Sequence, residues 1–359
     1  SSTALAEISA NVTLVSDYVF RGISQTDNQL AIQGGFDYAW DMGFYVGTWA
    51  SNVSEQFFNG AGGKHDPQTE VDLYVGYAGD QWVARFGRQV QSWGNGLVYQ
   101  AMDFFNPFDP AAVDKEFKTG DDMLYGQILR DNGDDVQLVG VVRREAETGD
   151  VSADVATAAA KYHGFISQYE FDALIAQHYA DTIIGAGGNR SIGGAIWRGD
   201  VTLTWTDTDT VPLLVTSLSY SWVMGGKNVS GLMEYFYNGF GIADGDYSPE
   251  SLMEHPDLIE RIGRGELYTL GRHYVVANLL IEVTPLFNLT PGLFTNLTDP
   301  SALLQITAQY DVIQDLQFLG ALNLPIGASG TEFGGIDSGI DGFYLSSGPS
   351  IFTQLAWYF

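Results

Sequence analysis

The stretch Ser350–Phe359, SIFTQLAWYF, places Ile351, Thr353, Leu355, Trp357 and Phe359 on one side of an extended chain. Phe352, Gln354, Ala356 and Tyr358 fall on the other. Alternation with period two marks a β-strand. Soluble domains usually finish in polar residues, whereas here an apolar face ends in aromatics. What this strand pairs with, and what that face meets, decides the fold.

The pattern recurs along the chain. Ile8, Ala10, Val12 and Leu14 alternate with Ser9, Asn11 and Thr13. Val71, Leu73, Val75 and Tyr77 oppose Glu70, Asp72 and Tyr74. Ala195, Trp197, Val201, Leu203 and Trp205 oppose Arg198, Asp200, Thr202 and Thr204. Leu304, Ile306, Ala308 and Tyr310 oppose Gln305, Thr307, Gln309 and Asp311. Each run lasts about ten residues, the length a tilted strand needs to cross a bilayer. Strands of soluble sheets are usually nearer about 5–6 residues.

The links between runs alternate in length. Short turns include Gly79-Asp80, Asp131-Asn-Gly-Asp134 and Gly225-Gly-Lys-Asn228, and Asn132-Gly133 is a strong hairpin signal. Long links fall near 19–29, 54–67, 97–122, 241–266 and 327–345. Short turns at one end and long loops at the other characterise outer-membrane barrels. The expected fold is therefore all-β: one transmembrane antiparallel β-barrel over 1–359, with about 18 strands and sixteen as the alternative. In such a barrel 347–359 pairs with 7–18, since an open edge cannot stand in lipid. The aromatic end, Trp357 and Phe359, resembles the C-terminal signal read by the bacterial outer-membrane assembly machinery.

Composition narrows the function. Asp and Glu number 44 against 16 Lys and Arg, for a net charge of −28. That charge repels phosphate backbones and excludes nucleic acid as a partner. It suits a surface or channel that meets cations. Cys is absent, so no disulfide, thiolate nucleophile or Cys-ligated metal arises. No run approaches the ~20 apolar residues of a membrane helix. The start, Ser1-Ser-Thr-Ala-Leu-Ala-Glu7, reads as a mature terminus after processing or as an engineered start. The expected setting is the bacterial outer membrane, with its lipid and lipopolysaccharide around the barrel.

Residues 7–54 carry Val15-Ser-Asp-Tyr-Val-Phe-Arg-Gly22, Ser24-Gln-Thr-Asp-Asn28, Ala31-Ile-Gln-Gly-Gly-Phe-Asp-Tyr38 and Gly43-Phe-Tyr-Val-Gly47. This stretch resembles the start of the TorF-type porins of proteobacteria. Gly87-Arg88-Gln89 with Ser92-Trp93-Gly94 resembles a stretch of other large outer-membrane proteins. The resemblance implies a passive pore and names no solute. Beyond residue 54 the chain departs from it.

The link 97–122 is the third long one. Met102, Phe104, Phe105, Phe108, Val113 and Phe117 are too apolar for a free surface loop, and Pro107 and Pro110 stiffen it. It is expected to fold into the barrel, by analogy with general porins. Its charged residues Asp103, Asp109, Asp114, Lys115, Glu116, Lys118, Asp121 and Asp122 would then form a pore constriction and electrostatic filter. Arg85, Arg88, Arg143, Arg198, Asp200, Glu234 and Arg272 are expected on the lumen wall. Strict alternation after Trp82, Ala84 and Phe86 turns Arg88 towards lipid, where a mid-depth Arg costs about 2–4 kcal/mol. A bulge near Gly87 is therefore expected to turn it inward.

In 241–266, Ser248-Pro249-Glu250 signals a helix start, and Leu258, Ile259 and Ile262 form one apolar stripe. Asp244-Gly-Asp246 and Thr206-Asp-Thr-Asp-Thr210 are weak Ca²⁺ candidates, since neither has the spacing of a calcium loop. No other cofactor or metal is indicated. None of His65, His163, His178, His255 and His273 stands in a catalytic or metal-binding spacing. There is no G-x-S-x-G, H-E-x-x-H or phosphate loop, so an enzyme is not expected. The leading expectation is a diffusion pore for small hydrophilic solutes, preferring cations or neutral species. The alternatives are a plugged or substrate-specific transporter and a binding or assembly barrel that works through its loops. The sequence leaves the solute and the oligomeric state open.

Overall fold

The computed structural model describes residues 7–15, 19–20, 23–24, 31–39, 43–50, 71–115, 118, 120–145, 148–340, 343–345 and 348–358. Eighteen strands form one antiparallel sheet. They are β1 Glu7–Val15, β2 Ala31–Ala39, β3 Phe44–Ala50, β4 Val71–Ala78, β5 Trp82–Gln89 and β6 Asp121–Leu129. Next come β7 Asp135–Val141, β8 Thr157–Ile166, β9 Tyr169–His178, β10 Asp181–Ile192, β11 Ala195–Trp205 and β12 Thr210–Met224. The rest are β13 Lys227–Asn238, β14 His273–Thr284, β15 Phe287–Asn296, β16 Ser301–Ile313, β17 Leu316–Ile326 and β18 Ser350–Tyr358.

Each strand pairs with the next in sequence, and β18 pairs back onto β1 from Asn11↔Tyr358 to Val15↔Gln354. Every strand thus has a partner on both sides, which satisfies backbone groups that lipid cannot. The C-terminal strand β18 thus lies between β17 and β1. Phe359 lies outside the described residues.

Alternation sorts the two faces. On β18, Ile351, Leu355 and Trp357 are exposed while Phe352, Gln354 and Ala356 are buried. On β11, Val201, Leu203 and Trp205 face out, and Asp200, Thr202 and Thr204 are buried. The outward face continues through Leu73, Val75, Phe86, Leu124 and Ile128. An apolar surface of this extent suits acyl chains. Among the described residues no helix is long and apolar enough to cross a membrane.

Two strands border the inward segment and the helical loop. β5 stops at Gln89, because Trp93 and the residues after it turn into the barrel. β14 begins at His273, because Leu270 is held in a loop contact with Ile242. Residues 239–272 carry two helices, α1 Pro249–Met253 and α2 Pro256–Gly263. The Ser248 side chain accepts from Ser251 N–H and caps α1, with Pro249 in the first turn. Leu258 and Arg261 are the buried residues of α2, whereas Ile259 is exposed and does not join the stripe. Two small hairpins, Val19–Phe20 with Ile23–Ser24 and Ile336–Ile340 with Phe343–Leu345, stand apart from the barrel sheet.

Candidate functional site

The centre of the barrel is set by the segment between β5 and β6. It buries Trp93, Val98, Tyr99, Met102, Phe104 and Phe105. Tyr99 stacks on Phe236 of β13 with ring centroids 4.7 Å apart, and Trp93 meets Phe105 edge-on at 5.1 Å. These rings contact inward-facing side chains, so the segment runs through the lumen. The apolar content of the segment matches this position.

Polar anchors come from strands spread around the wall. Trp93 Nε1 donates to Gln137 of β7 at 2.7 Å. Asn95 Nδ2 donates to Asp172 of β9 and to Asp200 of β11. Asp200 Oδ2 also accepts from the backbone N–H of Asn95 at 2.6 Å and of Gly96 at 3.1 Å. Glu234 of β13, fully buried, accepts from the N–H groups of Leu97, Val98 and Tyr99 at 2.8, 3.0 and 2.6 Å. Gln305 of β16 donates to the Ala111 carbonyl, and Gln354 of β18 to Asp114. The segment is rooted at β5 and β6 and reaches β16 and β18 across the ring. Asp200 and Glu234 thus act like helix-cap acceptors for an irregular backbone that would otherwise bury unpaired donors. Space for Asp200 is kept by Gly187, its register neighbour, where a Cβ would lie 1.9 Å from Asp200 Oδ1.

The expected constriction residues do different things here. Asp103 and Lys118 form a buried ion pair at 2.5 Å. Lys118 Nζ also reaches the Gln91 carbonyl and Ser92 Oγ, and Asp103 accepts from Phe105 N–H. Burial pushes the Asp103 carboxyl up and the Lys118 amine down, each against the attraction of its partner. Asp109 accepts from Ala111 N–H inside its own loop, and Lys115 lies at 3.4 Å from the Pro110 carbonyl. Asp121 begins β6 and pairs with Arg143 at 2.8 Å. Glu116 lies outside the described residues.

Arg88 and Asp122 require correction. No bulge turns Arg88 inward: Gly87 has φ of 123°, but the register runs unshifted through Tyr74↔Gly87 and Leu73↔Arg88. Arg88 therefore stays on the outward face, bound by Asp122 through both its Nε and Nη2. The cost is small because Arg88 is next to last in β5, where the penalty of a charge falls to about 0–1 kcal/mol near the interface. Asp122 faces outward with it and is not part of a constriction. Arg143 and Arg272 also leave the wall proper, since each lies beyond a strand end. Arg272 Nε donates to the Gly241 carbonyl. Arg85 and Arg198 do face inward, the latter donating to Ser219 Oγ.

The helical loop 239–272 packs on the same core: Phe240, Ile242, Tyr247, Leu258 and Leu267 join Val98, Tyr99 and Phe236. Arg261 of α2 pairs with Asp181, and Glu266 contacts His178 at 2.9 Å. Phe104 of the lumen segment packs on the His178 ring at 4.9 Å. Loop, cap and wall are therefore one packed unit. The Ca²⁺ candidates form turns instead: Asp244 accepts from Asp246 N–H, and Thr206 Oγ1 from Asp209 N–H. Among the described residues no three His, Asp or Glu side chains group to hold a metal.

This architecture defines an antiparallel β-barrel of the membrane-spanning kind. Residues 1–91 match a bacterial family described only as a protein of unknown function (Gcw_chp). No curated protein matches the chain. Among solved structures it is similar to Wzi of Escherichia coli, described as an outer-membrane protein involved in group 1 capsule assembly and a carbohydrate-binding β-barrel. That similarity has a TM-score of 0.62 and 10% identity, over 99% of this chain and 85% of Wzi. OccK1 (OpdK) of Pseudomonas aeruginosa gives a TM-score of 0.53 at 9% identity, over 99% of this chain and 98% of that one. A mutant form of the Rhodobacter blastica porin gives 0.51 at 8%, over 99% and 100%. At these identities the likeness establishes the fold.

Proposed function

We propose that this barrel binds a polar solute and passes it only when the lumen segment moves, so that it is not a standing open pore. The observation that carries this reading is the use of Asp200 and Glu234. Both are buried, and together they hold five backbone N–H groups of residues 95–99. Carboxylates that filter passing ions must meet water, and these do not. The Asp103–Lys118 pair is likewise internal to the segment. The carbohydrate binding described for Wzi is compatible with such a barrel.

A second reading, a narrow path beside the segment, is favoured by one wall. Asp37 is exposed, and Tyr45, Tyr74 and Arg85 are partly so. The test is liposome swelling with the whole chain and with a variant in which 98–112 is replaced by a short Gly-Ser link. The closed reading expects slow swelling for the wild type and fast swelling for the variant. Equally fast swelling for both would reject it in favour of an open diffusion pore.

A further inference from the structure

The half-exposed wall over β3 to β6 brings two tyrosines and an arginine together. Tyr45 faces Gly76 across the β3–β4 ladder, and Gly47 faces Tyr74. A Cβ at Gly76 would lie 2.3 Å from the Tyr45 ring, and one at Gly47 would lie 2.5 Å from the Tyr74 ring. Each ring therefore lies over the glycine of its neighbour, and a larger residue at either position would push that ring out of place. The two rings meet at 6.1 Å and 79°, forming a corner of one face and one edge.

Arg85 sits in register beside Gly76 and Tyr125. Its Nε donates to Tyr45 Oη at 3.0 Å, and its guanidinium lies over the Tyr125 ring at 4.9 Å. No carboxylate among the described residues pairs with it, although Asp and Glu outnumber Lys and Arg almost threefold in the chain. The side chain is thus fixed at one edge by tyrosines while its terminal amino groups remain unused by any described residue. A positioned guanidinium fork of this kind is the preferred partner of a carboxylate, which it takes with two parallel hydrogen bonds. Tyrosine faces and phenol groups beside it suit a ring with C–H faces and hydroxyl edges.

We infer that Tyr45, Tyr74 and Arg85 form a binding site for a saccharide bearing a carboxylate, with Arg85 holding the carboxylate and the tyrosine corner holding the sugar ring. The inference rests on the reading of the barrel as a solute binder and adds the class of solute. Gly47 and Gly76 are positioning residues.

The test uses the full chain folded in detergent micelles, with folding checked by its heat-modifiable gel mobility. Calorimetric titrations with D-glucuronate, D-glucose and acetate isolate the two chemistries. The wild type is expected to bind glucuronate at least about tenfold tighter than either probe. Arg85→Gln should bring glucuronate and glucose to equal affinity, and Arg85→Lys should keep part of the preference. Tyr74→Leu should weaken both sugars alike. If the wild type binds both sugars equally, or if Arg85→Gln keeps the full preference, the site assignment fails while solute binding stands. Acetate binding as tight as glucuronate overturns the saccharide class. Binding of none of the three overturns the site and counts against the solute-binding reading as well.

Discussion

Replacing Glu234 with Gln changes one atom and tests the seat of the lumen segment. In the native barrel Oε1 accepts from Val98 and Tyr99 N–H, and Oε2 accepts from Leu97 N–H at 2.8 Å. In Glu234→Gln the amide oxygen can keep two of the three donors. Its NH₂ then faces the third N–H, donor against donor. Hydrogen bonds to a charged group contribute about 1.5–3 kcal/mol and neutral ones about 0.5–1.5, while a buried unpaired donor costs about 1–3 kcal/mol. Two weakened bonds and one orphaned N–H together give roughly 3–5 kcal/mol. At about 1.4 kcal/mol per tenfold, local opening of 95–99 should rise by roughly two to three and a half orders of magnitude. Native-state hydrogen exchange on the barrel in micelles reads this directly, because exchange of these amides requires that opening. The expected result is a loss of protection of that size at Leu97, Val98 and Tyr99, with β13 and β14 unchanged. Protection equal to wild type would show that Glu234 does not hold the loop.

Three further substitutions follow from the same geometry. Asp103→Asn leaves Lys118 buried without its partner and should cost about 3–5 kcal/mol, whereas the double variant Asp103→Leu, Lys118→Met leaves no buried charge and should cost clearly less, about 1–3 kcal/mol for the Phe105 N–H and Gln91 carbonyl it unpairs, measured by denaturant midpoint. Near-equal losses in the single and double variants would contradict this. Arg88→Met should change stability by no more than about 1 kcal/mol, since its pair with Asp122 is exposed; a larger loss would mean that the pair is not at the rim. Arg261→Met removes the bond from α2 to Asp181 and should raise protease cutting within 249–267 severalfold while leaving the strands intact; unchanged cutting would mean that the cap is held by its apolar packing alone.

The strands were legible because a lipid-facing barrel repeats one rule along its length, apolar out and polar in. Even the Ala- and Gly-rich stretch 155–195 obeyed it, giving β8, β9 and β10. The inward fold of the third link was legible from Met102, Phe104 and Phe105, which need cover. What those side chains meet was not legible. The contact from Val98 to Glu234 spans 136 residues, and no local pattern around Glu234 distinguishes a cap from a solvated wall acid. The same holds for Asn95, whose amide joins Asp172 and Asp200. Arg88 was misplaced for a different reason. The argument that charge avoids lipid assumed mid-depth, but the strand ends one residue later and Asp122 lies beside it. The tyrosine corner had a faint signal, a glycine two places after Tyr45 and two after Tyr74, which becomes meaningful only once the register is known.

The central claim is that residues 95–99, seated on Asp200 and Glu234, close the lumen. Single-channel recording of the purified barrel in a planar bilayer under a KCl gradient tests it most directly, with wild type and Glu234→Gln side by side. The account predicts long closed intervals for the wild type and markedly more frequent openings for the variant. A steady open conductance in the wild type, unchanged by Glu234→Gln, would contradict it.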